Sequence, residues 1–175
     1  FFHSGIPPIV NAVHHNHDVV ITVLDNRTTA MTGHQPHPGT ETDGMGDPAR
    51  RILVEDVVKG CGVEHVEVVN PNNVKKTSEA FKRALEFKGT SVVVSKAPCI
   101  LLKNRDRRKD GKPVPTFEVN QEKCTQCNTC LDKFGCPAFY KKKGRVYIDE
   151  QQCNGCGNCL QICPEKAIKV RKEEN

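Results

Sequence analysis

The sequence has no tryptophan, only two tyrosines and two methionines, and few aromatic side chains overall. None of its apolar stretches approaches the roughly 20 residues that a membrane-spanning helix needs, so we expect no membrane span. Because few aromatic side chains interleave with the basic ones, binding of single-stranded nucleic acid by base stacking is disfavoured. The chain also opens without an initiator methionine or a basic signal segment, which indicates a piece of a longer polypeptide.

Cysteine is abundant by contrast, and most of it lies in the last third of the chain as two runs. Each run has three cysteines spaced three residues apart and then a Cys-Pro pair. This is the spacing of a bacterial-type ferredoxin with two [4Fe-4S] clusters, in which the Cys-Pro cysteine binds the other cluster. We therefore predict one cluster on Cys124, Cys127, Cys130 and Cys163. The second cluster is predicted on Cys153, Cys156, Cys159 and Cys136.

Two other readings of these cysteines are a zinc ribbon and a disulfide scaffold. A zinc site would use four ligands in paired Cys-x2-Cys or Cys/His units, which is not the pattern seen here. Cluster-binding cysteines point to a reducing, anaerobic cytoplasm. Cys61 and Cys99 lie outside both runs, and we expect each to be a small buried apolar residue.

An internal repeat accompanies the cysteine runs. Alternating apolar and polar residues at 117–120 and 146–149 predict a half-buried strand before each run. The first run is two residues longer, between Cys130 and Cys136. We therefore predict that residues 117–175 form a small α+β ferredoxin-like domain made of a duplicated strand, cluster loop and helix.

The net charge of +5 does not by itself indicate a nucleic-acid partner. Iron–sulfur clusters with four thiolate ligands are anionic, so the loaded chain would be close to neutral. The basic runs at 103–109 and 141–143 are expected to be solvated loop charge. A docking patch for an acidic ferredoxin is the alternative.

Residues 1–108 are predicted to form an α/β domain, with a linker at 109–116. Apolar runs at 19–24, 63–69 and 91–95 predict buried parallel strands. Helices are expected from Pro48 with Asp47 as cap, and from a cap at Ser78 to Glu86. Strands that alternate with helices imply a parallel sheet with crossover connections.

A polar, hydroxyl-rich loop follows the strand at 19–24, where open parallel sheets bind their ligands. Asn26 offers an amide oxygen, and backbone carbonyls could complete the octahedral shell of Mg²⁺. An ordinary turn with a left-handed Asn is the alternative.

Segments 1–8 and 24–39 closely resemble the alpha subunits of indolepyruvate ferredoxin oxidoreductases, a family of thiamine-diphosphate-dependent 2-oxo acid:ferredoxin oxidoreductases. The Thr-Ala-Met-Thr-Gly-His-Gln-Pro run at 29–36 is the most specific part, and the domain order also matches. The resemblance implies that Asn26 and the backbone carbonyl of Thr28 bind Mg²⁺. It also implies further contacts to thiamine diphosphate from Phe2, His3, Ser4, Met31 and Thr32.

In that family a Gly-Asp pair and the activating glutamate stand upstream, so no catalytic residue is predicted within this chain. The implied reaction is oxidative decarboxylation of an aryl 2-oxo acid such as indolepyruvate to an acyl-CoA. Its electrons would pass through the two clusters to an external ferredoxin, and a beta subunit is the implied partner. His34 and His37 either contact substrate or are solvated loop residues.

Two alternatives to this function remain open. One is a related oxidoreductase for pyruvate, 2-oxoglutarate or branched-chain 2-oxo acids, with the same cofactors. The other is a ferredoxin-like electron-carrier subunit without thiamine diphosphate.

Overall fold

The computed structural model describes residues 1–171, which form two compact units. The first unit is Phe1–Cys99, and the second begins at Ile100. The predicted limits at 108 and 117 both fall inside the second unit, and they stay a prediction. No helix within the described residues is long and apolar enough to cross a membrane.

The first unit is a three-stranded parallel sheet with helices on both faces, as the sequence predicts. The elements in chain order are α1 (Ile6–His14), β1 (Val19–Asp25), α2 (Val54–Gly60), β2 (His65–Val69), α3 (Val74–Glu86) and β3 (Thr90–Lys96). The order of the strands in the sheet is β1-β3-β2.

The central strand β3 separates two small hydrophobic cores, because alternate side chains of a strand point to opposite faces. Val92 and Val94 pack with residues of α1 and α2, among them Ile9 and Val58. Val93 packs on the other face with residues of β2 and α3. The chain therefore crosses between strands on opposite faces, and the carboxyl ends of all three strands lie at one edge of the sheet.

Two helices begin at other residues than predicted. The helix α2 begins at Val54, not at Pro48, because Asp43 accepts hydrogen bonds from the backbone N–H groups of Met45 and Asp47 and holds a turn there. The helix α3 begins at Val74, since the Asn73 side chain accepts from the N–H of Lys76. Ser78 consequently lies inside α3 and does not cap it.

The second unit begins with a helix that was not predicted. The basic run at 103–109 lies within α4 (Ile100–Lys109), where leucine, arginine and lysine are good helix formers. Residues 112–116 have no regular structure. The remaining elements are β4 (Phe117–Val119), α5 (Thr129–Asp132), β5 (Phe139–Lys142), β6 (Arg145–Ile148), α6 (Cys159–Ile162) and β7 (Ile168–Val170).

The duplicated halves of the second unit are interlocked. Strand β4 of the first half pairs antiparallel with β7 of the second, so that Phe117 lies opposite Val170. Strands β5 and β6 form a hairpin whose turn contains Lys143 and Gly144, both with positive φ. In the second basic run, Lys141 and Lys142 therefore lie in β5, and Lys143 lies in the turn. Apolar side chains from both halves share one core, which includes Phe117, Phe139, Val146, Ile148 and Ile168.

Candidate functional site

The first unit carries an open cleft of about 590 Å³ at the carboxyl end of β1. This is the edge at which parallel α/β sheets bind their ligands. The cleft is lined by the first residues of the chain, the end of β1, the loop that follows it and the start of α2. Its lining residues are Phe1, Phe2, His3, Val23, Leu24, Asp25, Asn26, Thr28, Thr29, Ala30, Met31, His37, Pro38 and Val54.

Two successive side-chain turns shape the loop after β1. Asp25 Oδ1 accepts from the N–H of Arg27 at 3.1 Å, and Asn26 Oδ1 accepts from the N–H of Thr28 at 3.2 Å. Arg27 has a φ of 63°, a left-handed conformation that non-glycine residues seldom adopt. An amide oxygen has two lone pairs, so Asn26 keeps one for a further partner. Amide and carbonyl oxygens are the hard ligands that Mg²⁺ prefers, so this loop fits such a cation.

The end of β3 supports this loop from below. The N–H of Ala97 donates to the carbonyl of Asp25 at 3.1 Å, and the N–H of Cys99 donates to the carbonyl of Asn26 at 2.9 Å. Lys96 Nζ donates to both carboxylate oxygens of Glu55, at 2.6 and 2.7 Å. The loop is therefore fixed by backbone hydrogen bonds from the segment that follows β3. The last residue of β3, Lys96, is in turn held to α2 by its ion pair with Glu55.

Five of the seven residues predicted to contact the cofactor line the cleft, and they are Phe2, His3, Asn26, Thr28 and Met31. The side chain of Met31 is almost fully exposed, at 96%. Ser4 and Thr32 do not belong to the lining within the described part of the chain. The Thr32 hydroxyl instead donates to the side chain of Gln35 at 2.5 Å, within the loop.

His37 is the one of the two loop histidines that lines the cleft. Its Nδ1 accepts a hydrogen bond from the N–H of Gly39 at 3.0 Å, and its ring lies 5.7 Å from that of Phe2. A neutral His37 must therefore carry its proton on Nε2. A Cβ at Gly39 would lie 2.8 Å from the His37 ring, so this geometry needs glycine there.

The first set of predicted cluster ligands lines one cavity of the second unit. Cys124, Cys127, Cys130 and Cys163 all face it, with Pro164 and apolar residues of β4, β6 and β7. Burial raises the pKa of the Cys130 thiol, and the neighbouring thiols of Cys124 and Cys127 add to this effect. The first run and the Cys-Pro cysteine of the second run are thus brought together, and they fit a cluster that needs four thiolates.

The second set is also gathered, around a buried cysteine. Burial, together with the nearby thiols of Cys156, Cys153 and Cys136, raises the pKa of Cys159 to about 12. Thiolates this close repel one another unless a cation compensates them, and iron supplies that positive charge. Cys136, Cys153 and Cys159 also belong to one apolar cluster, so the thiols of the second set lie near one another, as a second cluster would require.

Two hydrogen bonds reach sulfur atoms of the first set. Cys127 Sγ lies 3.4 Å from the Thr129 hydroxyl, and this contact lowers the pKa of the Cys127 thiol. The N–H of Ala167 donates to Cys163 Sγ at 3.3 Å. Hydrogen bonds to ligand sulfur help to set the reduction potential of an iron–sulfur cluster.

A parallel α/β unit with an oxygen-lined cleft, followed by a duplicated cysteine-loop unit, defines a cofactor-binding protein of the redox-enzyme class. Residues 1–95 match the family described as thiamine pyrophosphate enzyme, C-terminal TPP binding domain. The chain belongs to this family. Residues 146–169 match the 4Fe-4S binding domain. The predicted fold class is thereby confirmed.

Curated relatives match nearly the whole chain and are named indolepyruvate oxidoreductase subunit IorA. The protein of Methanothermobacter marburgensis is 52% identical over 169 residues, which are 97% of this chain and 26% of the relative. The proteins of Archaeoglobus fulgidus and Pyrococcus horikoshii are 49% and 48% identical, over 98% and 99% of this chain and 27% of each relative. The chain thus spans about a quarter of their length, and the resemblance to these alpha subunits is confirmed.

Proposed function

We propose that this chain is the cofactor-docking and electron-exit end of a thiamine-dependent 2-oxo acid:ferredoxin oxidoreductase. The substrate class is an aryl 2-oxo acid such as indolepyruvate, and CoA receives the acyl group. A beta subunit completes the enzyme, an external ferredoxin takes the electrons, and the protein acts in an anaerobic cytoplasm. The observation that carries this proposal is one chain with both an oxygen-lined cleft at Asn26 and two gathered sets of thiols.

In this proposal the loop after β1 holds Mg²⁺ and the diphosphate. Asn26 supplies its amide oxygen and Thr28 its backbone carbonyl, while Phe2, His3 and Ser4 follow the diphosphate. Met31 lies beside the thiazolium, and Thr32 reaches a phosphate oxygen once it leaves Gln35. The turns at Asp25 and Asn26 fix these donors before any ligand arrives, which lowers the cost of binding.

Thiamine diphosphate held at Asn26 and Thr28 would supply the nucleophile and the electron sink that decarboxylation of a 2-oxo acid needs. Phe1, Phe2 and Val54 give the cleft an apolar wall, which suits it to contact the apolar part of an aryl 2-oxo acid. His37 presents an Nε2–H donor to the same cleft, which suits it to orient a carboxylate or carbonyl oxygen of the substrate.

The second unit then carries the electrons, one at a time, on two [4Fe-4S] clusters. One cluster is held by Cys124, Cys127, Cys130 and Cys163, and the other by Cys153, Cys156, Cys159 and Cys136. The sulfur hydrogen bonds from Thr129 and Ala167 fall on the first set, so the two clusters have different surroundings.

Two other functions use parts of the same architecture. A related enzyme for alkyl 2-oxo acids would share every cofactor contact and differ only in the substrate pocket. An electron carrier would keep the clusters but would not bind thiamine diphosphate. The match of residues 1–95 to a thiamine pyrophosphate domain favours an enzyme over a carrier.

The test is anaerobic reconstitution of the full-length protein with its partner subunit. We expect viologen reduction that depends on indolepyruvate, CoA and thiamine diphosphate, and slower reduction with pyruvate or 2-oxoglutarate. Faster turnover of an alkyl acid would favour the related enzyme. Absence of turnover with every 2-oxo acid, together with no calorimetric binding of thiamine diphosphate and Mg²⁺, would leave the electron carrier.

A further inference from the structure

The two cysteine loops have matching backbones but different residues at the strained positions. Gln126 and Asn128 in the first loop have φ values of 60° and 58°. Gly155 and Gly157 stand at the equivalent places of the second loop, with φ values of 72° and 77°. Both loops therefore turn in the same way. Because Gln126 and Asn128 adopt this turn without glycine, the turn alone does not explain the glycines of the second loop.

The first loop is held by side chains of its own repeat. Gln126 Oε1 accepts from the N–H of Val146 at 3.1 Å, and Gln121 Nε2 donates to the carbonyl of Val146 at 2.8 Å. A long side chain at the left-handed position thus ties this loop to strand β6. Both of these hydrogen bonds lie within the duplicated part of the unit and end on β6, the strand before the second run.

The second loop is held from outside the repeat. Asn104 of α4 is only 5% exposed, and its Nδ2 donates to the carbonyl of Asn154 at 2.7 Å. The Asn154 side chain in turn accepts from the N–H of Cys156 at 3.3 Å. A Cβ at Gly155 would lie 2.4 Å from the carbonyl oxygen of Pro115, so the segment after α4 leaves room only for glycine.

We propose that Asn104 is a positioning residue for the second cysteine loop and thereby sets the potential of the cluster bound there. It fixes the peptide of Asn154, which lies directly after Cys153 and holds the N–H of Cys156. The orientation of peptides beside ligand sulfur atoms is one of the levers that tune a cluster. The proposal rests on the cluster assignment given above.

Asn104 also lies close in the sequence to a residue that bonds to the proposed Mg²⁺ loop. Cys99, whose N–H binds the carbonyl of Asn26, immediately precedes α4 in the sequence. Asn104 follows Cys99 closely in the sequence, and its side chain donates a hydrogen bond to a cluster loop. In this proposal, α4 and the segment that follows it hold the loop that carries Cys153 and Cys156 in place.

The test is a redox titration, followed by electron paramagnetic resonance, of the full-length protein with both clusters loaded. Asn104→Leu removes the donor at similar volume, and we expect it to shift the midpoint potential of one cluster only. Gln126→Asn keeps a residue that tolerates positive φ but is too short to reach Val146. It is the matched control for the first loop and should shift the other cluster. If both variants move the same cluster, or Asn104→Leu moves neither, the proposal is wrong.

A second pair of variants covers the case in which Asn104→Leu does not fold. Gly155→Ala and Gly157→Ala add the same methyl group at similar φ, but only the first meets Pro115. Hydrogen exchange of the cluster-loaded full-length protein should show faster exchange around residue 155 in Gly155→Ala than around residue 157 in Gly157→Ala. Equal effects would contradict a clamp on the second loop. A wild-type protein that binds no iron would instead refute the proposed function.

Discussion

Asn26 and Asn70 make the same turn at the ends of two strands of one sheet. Each side-chain oxygen accepts from the N–H two residues on, that of Thr28 at 3.2 Å and that of Asn72 at 2.9 Å. Only Asn26 lies in the cleft, beside the first residues of the chain, whereas Asn70 is exposed. The surroundings of the residue, and not its type, thus distinguish the proposed Mg²⁺ ligand Asn26 from the ordinary turn at Asn70.

This pair yields a prediction at the residue scale. Asn26→Ala removes one proposed Mg²⁺ ligand, so we expect the affinity of the full-length protein for thiamine diphosphate with Mg²⁺ to fall by roughly 100-fold. Asn70→Ala loses an equivalent turn and should leave the affinity unchanged. Isothermal titration calorimetry measures the affinity of both variants, and similar affinities would show that Asn26 does not bind the cofactor.

Secondary-structure elements are joined at the cleft by the ion pair between Glu55 and Lys96. Glu55 lies in the first turn of α2, where the helix dipole favours a negative charge. Burial is the largest single influence and raises the pKa of Glu55, but the hydrogen bond from Lys96, a backbone hydrogen bond and the positive charges of Lys96 and Arg27 together outweigh it, so the pKa of Glu55 is lowered. The pair fixes the start of α2 to the end of β3, and the segment that follows β3 bonds to the loop that carries Asn26.

A pH-dependent stability follows at this scale. Since the folded pKa of Glu55 lies below the unfolded value, its contribution is complete above the ordinary pKa of 4.5 and is lost as the pH falls through the folded pKa. Glu55→Gln should therefore cost about 1 kcal/mol at pH 7 and progressively less in acid. Calorimetric unfolding of the full chain at several pH values measures this, with the exposed Glu86→Gln as control. A cost that does not change with pH would contradict the ion pair.

The elements also show what sequence can and cannot predict. Apolar runs predicted the strands of the first unit because that pattern is local. The spacing of the cysteines predicted that Cys163 lies with Cys124, Cys127 and Cys130, which line one cavity, while the assignment of these residues as cluster ligands stays a prediction. The start of α2 was missed because the turn at Asp43 competes with the cap at Asp47. The role of Asn104 had no signal in sequence, since its partner lies fifty positions away and depends on how α4 packs.

At the scale of the whole molecule, the duplicated halves of the second unit exchange partners twice. Strand β4 pairs with β7, Cys163 lines one cavity with the cysteines of the first run, and Cys136 influences the thiol of Cys159 in the second run. In the proposed crossed pairing, each half supplies one ligand to the cluster of the other. The unit is therefore expected to load its two clusters together.

Exchange of cysteines tests this arrangement. Cys163→Ser should alter the spectrum of the cluster held by Cys124, Cys127 and Cys130, and Cys136→Ser should alter that of the other cluster. Iron analysis of the wild-type full-length protein should show two four-iron clusters beyond any bound elsewhere in the chain, and each variant should lose one in part. Spectra in which Cys163→Ser changes the cluster of its own run would contradict the crossed pairing.

The pairing of Phe117 with Val170 has one more consequence. The first and last strands of the ferredoxin-like part, β4 and β7, pair with each other, so the two ends of this part of the chain lie side by side. Domains with adjacent ends can be inserted into a host loop or circularly permuted without strain on the host. A segment moved into another protein would have to include Asn104 and Pro115 beside residues 117–170, because both contact the second cysteine loop.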